Sequence, residues 1–82
     1  RQIIPMDVRR LVGLNFARLR RAHGLTQEQA AELTGFSQQY ISGLERGKRN
    51  PTILTLHELA TPLHAAAADL LMTPDEKLGQ ST

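Results

Sequence analysis

Leu25 to Pro51 reads LTQEQAAELTGFSQQYISGLERGKRNP, and this stretch decides the fold. Thr26 and Gln29 stand at T-x-x-Q spacing, a capping box in which each side chain satisfies the other's orphan backbone N–H. The pattern predicts a helix from Thr26, with Leu25 as a staple residue before the cap and Ala30, Ala31 and Leu33 facing inward. Gly35 ends that helix, because glycine enters the left-handed conformation at no steric cost. Phe36 plugs the core in the turn. Ser37 caps a further helix that runs to about Arg46 with Ile41 and Leu44 on its buried side. At 100° per residue, Gln39, Ser42, Gly43 and Arg46 fall on the opposite side. Gly47 stops it.

Two short helices joined by a tight glycine turn, the second presenting amides and a hydroxyl to solvent, have the layout of a helix-turn-helix. Such a unit lays its second helix in the major groove of DNA. A glutamine amide both donates and accepts, which matches N6 and N7 of adenine. Gln38 and Gln39 occupy the first turn of that helix, Ser42 lies one turn on, and Gly43 leaves room for close approach of a base or sugar. The plain alternative is ordinary polar helix surface. Phosphate contacts are expected around the same helix: Gln27 at a positive helix N-terminus, Tyr40 through its hydroxyl, and Arg46, Lys48, Arg49 and Asn50 in the basic loop. Tyr40 also reads as partly buried against the preceding helix. Glu45 lies toward the core side, where an unpaired carboxylate is costly. Arg20, one residue after Leu19, is its expected partner, in a structural ion pair tying the first helix to the third.

The flanks read as scaffold. Arg1 to Asp7 is an N-terminal arm broken by Pro5. A first helix follows from Val8 to His23, with Val8, Val12, Phe16 and Leu19 on one face and Gly24 as its stop. Thr52 caps a fourth helix whose face is Ile53, Leu56, Leu59, Ala60 and Leu63. Pro62 removes a backbone bond there and ends or kinks that helix about a turn early. Ala65 to Leu71 reads as a final short helix. The expected organisation is therefore an arm (1–7), one all-α domain (8–72) and a polar tail (73–82). No segment alternates like a strand.

Composition bounds the rest. Eighty-two residues make one small domain with a thin core, and there is no cysteine for a disulfide or a thiolate zinc site. Residues 1–49 carry nine Arg/Lys against four acids, while residues 50–82 carry one lysine against four acids. One basic half suits a protein that faces a polyanion; a solvated charged surface is the plain alternative. No apolar run approaches the ~20 residues that span a membrane. No signal peptide is read, and Arg1 in place of Met points to a trimmed or excised piece. The expected location is the cytoplasm, at the nucleoid. His23 suits a helix C-terminus, and His57 and His64 have no third ligand nearby in sequence, so neither a metal nor a cofactor is expected. No catalytic order of residues supports an enzyme.

At these residues the chain resembles the lambdoid phage repressor and Cro type of helix-turn-helix proteins, the XRE family. The resemblance covers about Leu11 to Met72 and rests on Leu19, Arg20, Gly24 to Gln27, Ala31, Gly35, Ser37, Ile41, Ser42, Leu44, Glu45, Gly47, Asn50 to Thr52 and Leu56. Tyr40 to Arg46, YISGLER, is also similar to the controller proteins of restriction–modification systems. The resemblance implies a five-helix lambda-repressor-like domain, usually homodimeric on palindromic operators. It places Gln38, Gln39, Ser42 and Gly43 at base-reading positions and Gln27, Tyr40, Arg46 and Asn50 at backbone contacts. It also marks Arg20 and Glu45 as a family ion pair. The chain departs from the family pattern at Ala30, Pro62, His64 and Ala66.

The function implied is a sequence-specific transcription regulator bound to double-stranded DNA as a homodimer. Leu70, Leu71 and Met72 are the expected dimer surface, with Leu11 and Leu14 as further apolar candidates. The alternative is a protein-interaction module on the same fold, such as an antitoxin, adaptor or antiactivator partner. That reading calls for a broad apolar patch.

Overall fold

The computed structural model describes residues 7–73; the arm up to Met6 and the tail from Pro74 lie outside the described residues. Four α-helices follow in order: α1 (Val8–Ala22), α2 (Gln27–Thr34), α3 (Gln38–Glu45) and α4 (Ile53–Ala60). Two 3₁₀ segments, Thr61–Leu63 and Ala67–Leu71, complete the chain, and no strand occurs among the described residues. The core is built on Phe16, Ile41, Leu44, Leu59, Leu63 and Leu70, all fully buried.

The caps of α2, α3 and α4 are made by the residues that the sequence marks for them, whereas α1 is capped by Asp7, which the sequence reading left in the arm. Thr26 Oγ1 accepts from the Gln29 N–H at 3.0 Å, and Gln29 Oε1 accepts from the Thr26 N–H at 2.9 Å. Ser37 accepts from the Tyr40 N–H at 3.0 Å, and Thr52 from the Thr55 N–H at 3.1 Å. Gly35 has φ 86°, ψ 3°, and its N–H closes on the Ala31 carbonyl. These two values turn the chain sharply enough to set α3 against α2. Gly13 answers a different need: a Cβ there would collide with the Leu44 carbonyl oxygen, so α1 and α3 approach backbone to backbone.

Several inward assignments are corrected. Val8 and Leu33 are exposed, and Ile53 is 83 % exposed. Each lies in the first or last turn of its helix, where the helix overhangs the core. On α1 the buried stripe is shifted by a residue, to Leu11, Val12, Asn15 and Phe16, so Leu11 belongs to the core and not to a free apolar patch. Leu19 is only partly buried. Leu14 is exposed.

The C-terminal region differs most. α4 ends at Ala60 and continues as a 3₁₀ turn with Pro62 inside it, the early end that Pro62 demands. The expected fifth α-helix over Ala65 to Leu71 is instead a 3₁₀ segment from Ala67, so a five-helix count does not hold for the described residues. Ala66 has no side chain to cap with. The Asp69 carboxylate accepts from the Ala66 N–H at 2.8 Å, and the Asp69 N–H returns to the Ala66 carbonyl at 2.9 Å, which tightens the turn. At its far end, buried Asn15 on α1 donates through Nδ2 to the carbonyls of Leu70 and Met72, both at 2.8 Å. Arg18 donates to Asn15 Oδ1 at 2.6 Å. A segment of five residues held at both ends by side chains has no reason to relax into an α-helix.

Candidate nucleic-acid interface

α3 is positioned from behind by a polar network. Arg20 donates to both carboxylate oxygens of Glu45, through Nε at 2.7 Å and a terminal nitrogen at 3.0 Å. Its remaining nitrogen donates to the Leu25 carbonyl at 2.9 Å, and Gln27 Nε2 donates to Glu45 Oε1 at 2.9 Å. The two charged side chains are 11 % and 7 % exposed. The hydrogen bonds that Arg20 donates to Glu45 raise its pKa above the ordinary value, against the opposing effect of burial. One carboxylate therefore gathers α1, the start of α2 and the end of α3, and the expected Arg20–Glu45 pair is present.

The front of α3 is open. Gln27, Gln38, Gln39, Ser42, Arg46 and Arg49 line one cleft of ≈ 480 Å³. Gln38 and Gln39 are exposed, and their amides make no hydrogen bond among the described residues. Gln27 is half-buried with its nitrogen committed to Glu45. Arg46 is exposed and donates through Nε to the Ser42 carbonyl at 3.3 Å, which leaves its terminal nitrogens available. Lys48 and Asn50 are exposed on the loop beyond.

Tyr40 combines two environments. Its ring stacks on Phe36, with centroids 4.9 Å apart, and the Arg49 guanidinium lies over it at 5.2 Å. Burial pushes the phenol pKa up, and the Arg49 charge opposes this. The hydroxyl therefore stays protonated at neutral pH and can donate. Gly43 is buried, and what lies on it is the Arg49 side chain: a methyl group at Gly43 would come within 3.0 Å of Arg49 Nε. The space left by the missing side chain is filled by the protein itself.

Of the expected site residues, Gln27, Gln38, Gln39, Ser42, Arg46 and Arg49 line one cleft, Tyr40 and Gly43 lie on α3 against Arg49, and Lys48 and Asn50 lie on the loop beyond. Leu70 is corrected: it is fully buried in the core of its own protomer and cannot face a second one. Leu71 is 43 % exposed and Met72 half-buried. Asn15 escaped the sequence reading. An asparagine one residue before Phe16, at helical spacing from Leu11 and Val12, was the available signal. Among the described residues no helix is long and apolar enough to cross a membrane.

Known proteins are similar to this chain in sequence and share its fold. Residues 16–69 match the family model described as helix-turn-helix. An uncharacterized HTH-type transcriptional regulator of Sinorhizobium fredii is 59 % identical over 71 residues, 87 % of this chain and 92 % of that protein. Control protein C.SmaI of Serratia marcescens is 38 % identical over 66 residues, 80 % of this chain and 79 % of that protein. Among solved structures, a hypothetical transcription factor from Neisseria superposes with a TM-score of 0.86 at 29 % identity, covering 98 % of this chain and 94 % of that one. The restriction–modification controller protein C.AhdI of Aeromonas hydrophila gives 0.71 at 37 % identity, covering 76 % and 94 %.

Proposed function

This chain belongs to the XRE-type helix-turn-helix family, a non-enzymatic family of DNA-binding transcription regulators, and we propose that it acts as a homodimer on a palindromic operator. In this reading α3 enters the major groove. Gln38 and Gln39 read base edges, adenine by preference, with Ser42 beside them. Gln27, Tyr40, Arg46, Lys48, Arg49 and Asn50 hold the phosphates on either side. The observation that carries the proposal is the pair of uncommitted amides of Gln38 and Gln39, exposed on a rigidly held α3 in a cleft edged by Arg46 and Arg49. Gly43 serves by accepting Arg49 against the helix; base approach at Gly43 requires that side chain to move.

Selection from random duplexes, followed by salt titration on the winning sequence, tests this directly. Binding should weaken steeply with salt, each neutralised phosphate contributing about −0.9 to the log–log slope. Gln38→Ala or Gln39→Ala should cost about 1–3 kcal/mol on the selected site and little on competitor DNA, whereas Arg49→Ala weakens both. No preference for any duplex at any salt would overturn the proposal.

A homodimer supplies the second recognition helix that useful specificity needs, set about 34 Å from the first. With Leu70 in the core, Leu71 and Met72 are what remains of the expected surface. Leu71→Glu should weaken palindrome binding far more than half-site binding. The alternative reading, a module for another protein, is favoured by one observation. Ile53 and Leu54, neighbours on the first turn of α4, are the most exposed large apolar side chains among the described residues. Ile53→Glu that spares DNA binding and self-association but abolishes a protein partner's binding would favour it.

A further inference from the structure

The fold brings together two histidines that lie far apart in the sequence. His23 is the C-cap of α1, and His64 is the C-cap of the 3₁₀ turn that extends α4. Their ring centroids are 6.1 Å apart, with planes inclined by 34°. Both residues are exposed, so their side chains have room to rotate. His64 also has φ 58°, ψ 39°, and among the described residues it is the one non-glycine with positive φ. Histidine tolerates that region better than most residues, and a left-handed residue is a common stop at a helix carboxyl end.

The electrostatics favour a cation. The fifteen-residue α1 ends at His23, and the carboxyl end of such a helix carries partial negative charge. Of the two arginines in the last turn of α1, Arg20 is committed to Glu45. Arg21 is exposed, where its opposing charge is screened by salt.

We propose that His23 and His64 form a two-imidazole site for a divalent transition-metal ion that takes nitrogen ligands, such as copper, nickel or zinc, with water completing the coordination. Metal–nitrogen bonds of about 2.0–2.1 Å at ligand angles of about 90–110° place the centroids of two imidazoles roughly 4.5–5.2 Å apart; the observed pair, at 6.1 Å, reaches that by a rotation of the exposed side chains that closes about 1 Å. The sequence pairs His57 with His64 and finds no site; the fold supplies His23 instead. An ion held there clips the end of α1 to the end of α4. It binds the folded chain and not the unfolded one, so it stabilises the fold by linkage. This site does not depend on how the chain meets DNA.

Thermal unfolding of tag-free protein with copper, nickel, zinc and magnesium chlorides, at several protein concentrations, tests the assignment, with calorimetric titration for affinity. The midpoint should rise and saturate with the first three ions, stay fixed with magnesium, and not depend on protein concentration. His23→Ala and His64→Ala should each weaken binding about tenfold or more, since a second tethered imidazole acts at high effective concentration. His57→Ala should bind as the wild type does. His64→Gly separates ligation from folding: glycine suits the left-handed backbone, so this variant should stay folded without metal and yet lose the response. No rise with any ion would overturn the site, as would a rise that survives both His23→Ala and His64→Gly. So would a rise that grows with protein concentration, which would mean an ion bridging two copies.

Discussion

The helix-turn-helix segment and the C-terminal segment obey different rules. From Thr26 to Thr52, each boundary is set by a residue acting on backbone groups within three or four positions: Thr26 on Gln29, Ser37 on Tyr40, Thr52 on Thr55, Gly35 on Ala31. From Ala66 to Met72, only the first turn is held locally, by Asp69. The rest is fixed by Asn15, fifty-five residues before Leu70. Segments with local instructions are legible in sequence, and segments held from elsewhere are legible only once their holder is known.

The largest expected effect falls where this contrast breaks down. Glu45 is where a polar network adds to the packing of α1 against the helix-turn-helix, through Arg20. Glu45→Ala strands a guanidinium that is only 11 % exposed and frees Gln27. A loss of about 3–5 kcal/mol is expected, read from urea unfolding. An unchanged midpoint would mean that α2 and α3 stand without the network, making that region more local than the structure indicates.

Asn15→Ala should come next, at about 1–3 kcal/mol, because the Leu70 and Met72 carbonyls lose their donor in a partly closed environment. The contrast becomes sharper through hydrogen exchange. Protection should fall first over Ala67 to Leu71, with α2 and α3 less affected. Equal loss everywhere would show that the C-terminal segment folds only with the whole.

The same division explains what the sequence disclosed. Periodicity and caps located all four α-helices, and the caps placed the starts of α2, α3 and α4 to within a residue; the Asp7 cap of α1 went unread. Burial was misjudged where an apolar residue sits in a terminal turn: Val8, Leu33 and Ile53 have core-like chemistry but overhang the core. Leu70 was assigned to a dimer surface because an apolar run at the end of a short helix reads as exposed. Leu70 is instead packed into the core, and Asn15 on α1 holds its carbonyl. The groups exposed on one side of α3 were legible because residues three and four apart share a helix face. The cover that Arg49 lays over Gly43 was not, since it depends on the path of a loop. The His23–His64 pairing was hidden for the same reason.

Thr26→Ala tests a purely local instruction. It removes one half of the capping box and should cost about 1 kcal/mol, measured by thermal unfolding. Because the Gln27–Glu45 bond holds α2 from a second side, the helix should persist. Loss of the α2 signals by NMR at moderate temperature would show that the cap, and not the network, decides whether α2 forms.

The smallest effect is expected at the start of α1, where the contact is the most local and the most exposed. Asp7 caps the helix by accepting from the Arg9 N–H at 2.8 Å, and its carboxylate pairs with the Arg9 side chain at 2.7 Å. The side-chain hydrogen bonds from Arg9, followed by its backbone N–H, hold the Asp7 pKa at about 2 instead of the usual 3.8. A folded pKa below the unfolded one stabilises the charged form. The contribution is therefore complete above about pH 4 and disappears as pH falls through 2. Asp7→Asn keeps a capping oxygen and removes the charge. The difference in unfolding midpoint between wild type and Asp7→Asn should be small and constant from pH 7 to about 4. It should close as the pH approaches 2, and shrink at every pH in high salt, because the pair is solvent-exposed. A difference that stays flat down to pH 2 would show that Arg9 does not hold Asp7 in solution.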